Sequence, residues 1–228
     1  MGLARIPSSK DLWNRHEKLV LTVFLIALDQ LRSEEILPEA ENRINEKLLI
    51  HTKRAWKKLP AEKRPLWALS LESQNQPQSD EDVGTGWLIK KPDFQWQYVD
   101  HTDNTENGFK SYTIECKRLG HPLSKSRILN HEYVKNGIQR FVATEHSYGK
   151  GSWSGAMIGY VQNMDLTAIV EQLNTHILDH FSHKIPALKF SEVDFDERGI
   201  IKSSQKLTRK NVPPSSFDLR HLWVDLRR

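Results

Sequence analysis

The chain has 228 residues, with 33 Lys and Arg against 29 Asp and Glu, a formal net charge of +4 and 38% hydrophobic residues. That length and apolar fraction allow one large domain, or one domain with a small helical appendage. The single cysteine, Cys116, excludes an internal disulfide and a cysteine-based zinc finger.

Residues 10–32 read as a helix that is apolar around most of its middle and is therefore buried. Its run Leu19 to Leu28 is far short of a membrane-spanning helix. Asp29, Arg32, Glu34 and Glu35 follow where a signal peptide would need small residues for cleavage. A buried helix, no membrane association and a reducing cytoplasm are the expectations. Pro38 is suited to the first turn of a second helix, which continues through Ala40, Ile44 and Leu48 towards Trp56. Leu59-Pro60 breaks it, and a third helix is predicted over 61–72. The polar, proline-containing stretch 73–82 reads as a loop. Seven tryptophans offer large core anchors, or stacking surfaces for nucleic acid.

From Val83 the pattern turns to strands. Gly84 to Lys90 suggests a short strand, and Phe94, Trp96 and Tyr98 alternate with polar residues in a second. Asp100 to Gly108 makes a long hairpin connection to a third strand, Ser111 to Lys117. Successive side chains on a strand face opposite ways. Tyr112, Ile114 and Cys116 therefore share one face, and Ser111, Thr113, Glu115 and Lys117 the other. Cys116 reads as a small buried residue, not a catalytic thiol, since no activator is adjacent. Residues 131–144 look helical, Ala156 to Val161 is an apolar strand, and 165–183 forms an amphipathic helix. Strand candidates around 199–206 and 217–226 complete the order. Residues 198–228 carry eight Lys and Arg against Asp218 and Asp225, net +6, leaving −2 for the remainder. Such a basic region suits phosphate contacts, a solvated face being the alternative.

Phosphodiester hydrolysis needs an activated water and relief of phosphate charge, which Mg²⁺ supplies through oxygen ligands. Asp93 and Glu115 are suitable ligands, and the backbone carbonyl of Cys116 is a third. Lys117, as an ammonium, orients the attacking water and stabilises charge developing on the phosphoryl group. The sequence Pro92-Asp93, followed on a strand after a hairpin by Glu115-Cys116-Lys117, resembles the PD-(D/E)xK nuclease superfamily, with the order of elements extending the likeness over roughly 34–162.

That resemblance implies an α/β fold with a restriction-endonuclease-like core: a mixed sheet of about four strands flanked by helices. Residues 1–33 would be an N-terminal helical extension, and 34–228 the nuclease domain with its basic C-terminal region. It also implies an acidic residue from the helix before the sheet. Glu41 matches that placement, with Glu39 and Glu46 as competitors. A polar residue on the helix after the lysine strand is common in the superfamily, and Gln139 and Arg140 occupy that region as candidate contacts to metal-bound water or to the nucleic-acid phosphate. The implied activity is a Mg²⁺-dependent endonuclease, with Mn²⁺ able to substitute. DNA is the expected substrate, RNA on the same scaffold the alternative, and the setting phage defence, restriction or repair. Lys150, Lys206, Arg209 and Lys210 are candidate nucleic-acid contacts. No separate recognition domain is evident, so specificity is expected from a homodimer or partner subunit. The competing class is a non-cleaving nucleic-acid-binding or assembly subunit that keeps the fold.

Other constellations fit less well. His176, His180 and His183 fall on one helix face but lack a His-Glu-x-x-His pattern, so exposed helix histidines are expected. Glu192, Asp194 and Asp196 alternate and read as a solvated hairpin end in preference to a second metal cluster. Gly149-Lys150-Gly151-Ser152 has neither the glycine spacing nor the lysine position of a phosphate loop. Gly151 to Gly155 places Trp153, not serine, at the centre of a would-be hydrolase elbow. Trp153 is read as a core anchor or a nucleic-acid contact.

Overall fold

The computed structural model describes residues 7–105, 108–190 and 198–227. Glu192, Asp194 and Asp196 lie outside them. Helix α1 (Ser9–Arg32) opens with a capping box. Ser8 accepts from the Asp11 amide, and the Asp11 carboxylate accepts from the Ser8 amide. Its apolar stripe, Val20, Val23, Phe24, Ala27, Leu28 and Leu31, is fully buried. Among the described residues, no helix is long and apolar enough to cross a membrane. Helix α2 (Glu41–Lys58) starts three residues beyond Pro38 and buries Ile44, Asn45, Leu48, His51, Thr52 and Ala55.

Six strands form one sheet: β1 (Leu69–Leu71), β2 (Phe94–Val99), β3 (Phe109–Leu119), β4 (Ser154–Val161), β5 (Ile200–Thr208) and β6 (Ser216–Asp225). Their order is β1-β2-β3-β4-β6-β5. The β3–β4 and β4–β6 pairs are parallel and the others antiparallel, so the sheet is mixed. The crossover from β3 to β4 carries α3 (Leu129–Tyr133), a π-helical turn (Val134–Ile138) and α4 (Gln139–Val142). Helix α5 (Leu166–Phe181) follows β4, capped by Asp165, which accepts from the Thr167 amide at 2.9 Å.

Period-two alternation divides the core into two layers. Phe94, Trp96, Tyr112, Ile114, Cys116, Ile158 and Tyr160 face α1 and α2. Leu119, Met157, Val161, Leu219 and Trp223 face α3–α5. The helix expected as an N-terminal extension is thus bound directly to the sheet. Trp13 Nε1 donates to Ser154 Oγ at 2.7 Å, and Arg220 Nε to the buried Glu17 at 2.6 Å. Trp153 packs against Trp13 at the edge of that layer, as a core anchor does.

Two local expectations are corrected. The helix predicted over 61–72 is a single 3-10 turn at Ala61–Lys63 followed by β1. Pro65 supplies no donor to continue a helix, and Leu69 and Leu71 pair instead with Trp96 and Phe94. The strand predicted at 84–90 is a chain of turns. Leu88 N donates to Thr85 O and Lys90 N to Trp87 O, which bends the chain around the buried Trp87.

Candidate active site

Strand β2 ends its pairing at Phe94↔Ile114, whereas β3 continues to Leu119. Past Ile114 the outer edge of β3 has no strand of the described residues beside it, and its amides need other partners. Two carboxylates provide them. Cys116 N donates to Asp93 Oδ2 at 2.6 Å, and Arg118 N to Glu41 Oε2 at 3.0 Å. Asp93 is the residue just before β2, and Glu41 is the first residue of α2 and so stands in its first turn.

Lys117 gathers the remaining oxygens. Its Nζ lies 2.6 Å from the Cys116 carbonyl, 2.8 Å from Glu115 Oε1, 3.0 Å from Glu41 Oε1 and 3.8 Å from Asp93 Oδ2. The four oxygen donors singled out in the sequence therefore surround one point. Of the glutamates that compete for the helix position, Glu41 is the one that reaches it. Glu39 offers only its carbonyl, to Arg118, and Glu46 pairs with Arg43. Glu115 is 1% exposed, under the α3–α4 crossover, whereas Glu41 is 29% exposed and faces the mouth of the cluster. Arg140 Nη1 donates to Glu115 Oε1 at 2.6 Å. The π-helical turn brings Gly137 so close that an added Cβ would meet Met157 Cε at 2.4 Å and Lys117 Cγ at 3.5 Å. That approach lets the helix lie flat over the lysine stem.

Burial and charge set the protonation states. Burial raises the Asp93 carboxyl to about 8, helped by the charge of Glu115 and opposed by Lys117. Burial pulls Lys117 down, but Glu115, Asp93 and Glu41 outweigh it and hold its pKa above the usual lysine value. Lys117 is therefore an ammonium at neutral pH, suited to stabilising negative charge and not to accepting a proton. Burial pushes the Cys116 thiol far up, so it is inert.

Asn45 and Tyr160 were not singled out in the sequence. Asn45 Nδ2 donates to Asp93 Oδ1 at 3.1 Å, and its Oδ1 accepts from Tyr160 at 2.7 Å. The signal was its position four residues after Glu41, on the same helix face.

Among the described residues, no three or more His, Cys, Asp or Glu side chains stand in a ready-made metal cage. In the carboxylate cluster Lys117 Nζ holds the centre. The donors there are all oxygen, which suits Mg²⁺ or Mn²⁺. Glu115 Oε2 is buried without a hydrogen-bond partner, so the cluster has an acceptor to spare.

Other candidates lie apart. Gln139, next to Arg140, lines a different groove with His183 and Lys210. Lys150 pairs with Asp82 and lies 5.1 Å above the Trp87 ring, bracing the loop. Lys206 and Lys210 are exposed. The expectation for Arg209 is corrected: it is buried, and its guanidinium donates to the carbonyls of Tyr148, Gly149, Ser152, Pro213 and Pro214. With its donors committed to backbone, it is a structural cation. His176 is not simply exposed on its helix. It stacks on His131 at 3.9 Å and meets His180 at 4.7 Å, while its Nε2 is buried without a hydrogen-bond partner.

Comparisons with protein-family models, curated proteins and solved structures returned no match.

Proposed function

We propose that this chain is a restriction-endonuclease-like nuclease that hydrolyses phosphodiester bonds with a divalent cation. More particularly, we read it as a Mg²⁺-dependent endonuclease acting on DNA, with RNA as the alternative substrate. The observation that carries the reading is the convergence of Asp93, Glu115, Glu41 and the Cys116 carbonyl around Lys117 Nζ. Those four groups would hold Mg²⁺ or Mn²⁺, which when bound supplies an activated water and charge relief at phosphate. Glu115 is fixed by burial and by Arg140. Asp93 is fixed by Asn45 and the Cys116 amide. Lys117 is a held cation at the centre of the cluster; with a metal ion on those oxygens its ammonium would have to move aside, where it could stabilise charge on a phosphoryl oxygen.

Incubating plasmid and single-stranded DNA with the protein and Mg²⁺ or Mn²⁺ tests this. Wild type is expected to cut, and Asp93→Ala and Lys117→Ala to cut at least about 100-fold more slowly. Equal cleavage by the variants would show the site to be elsewhere.

One observation favours a second reading. Lys117 and Arg140 both bind Glu115 Oε1, so the cluster is largely neutralised by its own cations. A non-cleaving nucleic-acid-binding or assembly subunit would need nothing more. Absence of cleavage by wild type, alone and with its native partners, would select it.

A further inference from the structure

Helix α2 runs from the carboxylate cluster to a surface of very different character. Residues 47–64 contain seven Lys and Arg and one carboxylate, Glu62. On the solvent side of the helix, Ile50, Lys53, Arg54 and Lys57 line a cleft with Trp56 and Trp67. Lys53, Arg54 and Lys57 form no ion pair with any described residue. Among the described residues the patch is therefore net positive. Ile50 is 47% exposed, and the neighbouring Leu66 is 85% exposed.

The two indoles are held in place. Trp56 Nε1 donates to the Pro65 carbonyl at 2.7 Å. Trp67 meets Trp56 edge-on at 5.5 Å and the buried Trp96 at 5.4 Å, so the aromatic wall is rooted in the core. Arg64 lies 5.2 Å from the centre of the Trp56 ring. A rigid aromatic surface beside Lys53, Arg54 and Lys57, which have no ion pair among the described residues, matches a partner that offers flat apolar faces and a regular negative charge. A single nucleic-acid strand has both. A duplex hides its base faces in the stack.

We infer that the Lys53–Lys57 face of α2, with Trp56 and Trp67, binds single-stranded nucleic acid, lysines to phosphates and indoles to a base. This deepens the nuclease reading and rests on it for its link to the cluster. Trp56 is 15 residues along the helix from Glu41, about 22 Å at the α-helical rise. One strand can occupy both ends of α2. The surface then supplies nucleic-acid contact that the basic C-terminal region, with Arg209 buried, supplies only in part.

The test is fluorescence anisotropy with fluorescein-labelled 20-mers of oligothymidylate and oligouridylate, in EDTA, across a salt series. Two surface variants carry it: Lys53→Gln with Lys57→Gln, and Trp67→Leu. Wild type is expected to bind, and the lysine pair to bind about 10-fold more weakly. The slope of log affinity on log salt should shrink by about 1.4, two phosphate contacts at about 0.7 each. Trp67→Leu should weaken binding about 5- to 100-fold with the salt slope unchanged, as loss of a stacked base does. Melting curves establish that the variants are folded. The lysine pair, being at exposed positions, remains informative if Trp67→Leu is not. Wild type that binds neither oligomer, or a lysine pair with unchanged affinity and slope, overturns the inference. So does a lysine pair that keeps oligomer binding but loses co-sedimentation with phosphatidylserine vesicles. Cleavage is read separately. If wild type binds through this face but never cuts, the nuclease reading fails while the surface stands. If it cuts and the lysine pair binds normally, the surface fails while the nuclease stands.

Discussion

Lys117 and Arg209 are both buried cations, and their surroundings are opposite. Lys117 sits among three carboxylates and a carbonyl, with Arg140 close by. Arg209 has five carbonyls and, among the described residues, no carboxylate partner. Burial alone drags the Arg209 guanidinium down to about 9, since carbonyl dipoles only partly replace lost water. The carboxylates hold Lys117 up instead. Arg209 ties the 147–153 loop to the Pro213-Pro214 turn, and its charge serves as a source of donors. Around Lys117 the protein has gathered three carboxyls, and burial and the charge of Glu115 keep the proton on one of them, Asp93, at neutral pH. A cluster whose third carboxyl can still lose a proton, and whose Glu115 Oε2 has no hydrogen-bond partner, has oxygens to offer a further cation, whereas a staple has none.

The contrast breaks most visibly at Arg209. Arg209→Ala leaves several buried carbonyls without donors and should cost about 3–5 kcal/mol, lowering Tm by about 10 °C. Arg209→Lys should recover little, because one ammonium cannot reach five carbonyls in the plane of a guanidinium. Neither loss should be recovered by Mg²⁺ in a thermal melt.

Lys117→Met should cost about 3 kcal/mol in EDTA, from carboxylates left without their cation. Here Mg²⁺ should restore stability, by about 2.7 kcal/mol at 100 times its Kd, and the Asp93→Ala variant should show no such rise. Equal behaviour of the Lys117 and Arg209 variants in the two melts would dissolve the distinction.

The protonation of Asp93 gives a smaller, signed effect. Unfolded, its carboxyl loses its proton near pH 4, and folded near 8. Between those values the native state carries the extra proton, so this group makes stability fall as pH rises from about 4 to about 8 and contributes no slope beyond. Melts in EDTA should show that slope in wild type and a flatter one in Asp93→Asn. Calorimetry in buffers of different ionisation heat should find a proton released on Mg²⁺ binding at pH 7, and none in Asp93→Asn.

The smallest change is Asn45→Ala, which removes partners from Asp93 and Tyr160 and should cost about 1–2 kcal/mol by denaturant titration. It tests whether the carboxylate is held in place from α2.

Much of this was legible in the chain. Alternation over Ser111 to Lys117 put Cys116 in the α1–α2 core and Glu115 beside Lys117, because strand periodicity is a local property of the backbone. Helix patterns located α1, α2 and α5 to within a few residues, since an apolar stripe must be buried wherever the helix lies. Partnership across elements was not legible. Asp93 and Glu41 meet at β3 only because β2 stops pairing at Ile114 and leaves amides that need acceptors. The distinction of Arg140 from Gln139 followed from how the π-helical turn rotates the crossover. The conversion of residues 69–71 from expected helix to strand required the free edge of β2. The burial of Arg209 required a loop of carbonyls folded around it. Local propensity determined which elements form and which way their side chains point; tertiary packing alone decided which buried charges have a partner, because the cost of a buried charge depends on neighbours far away in sequence.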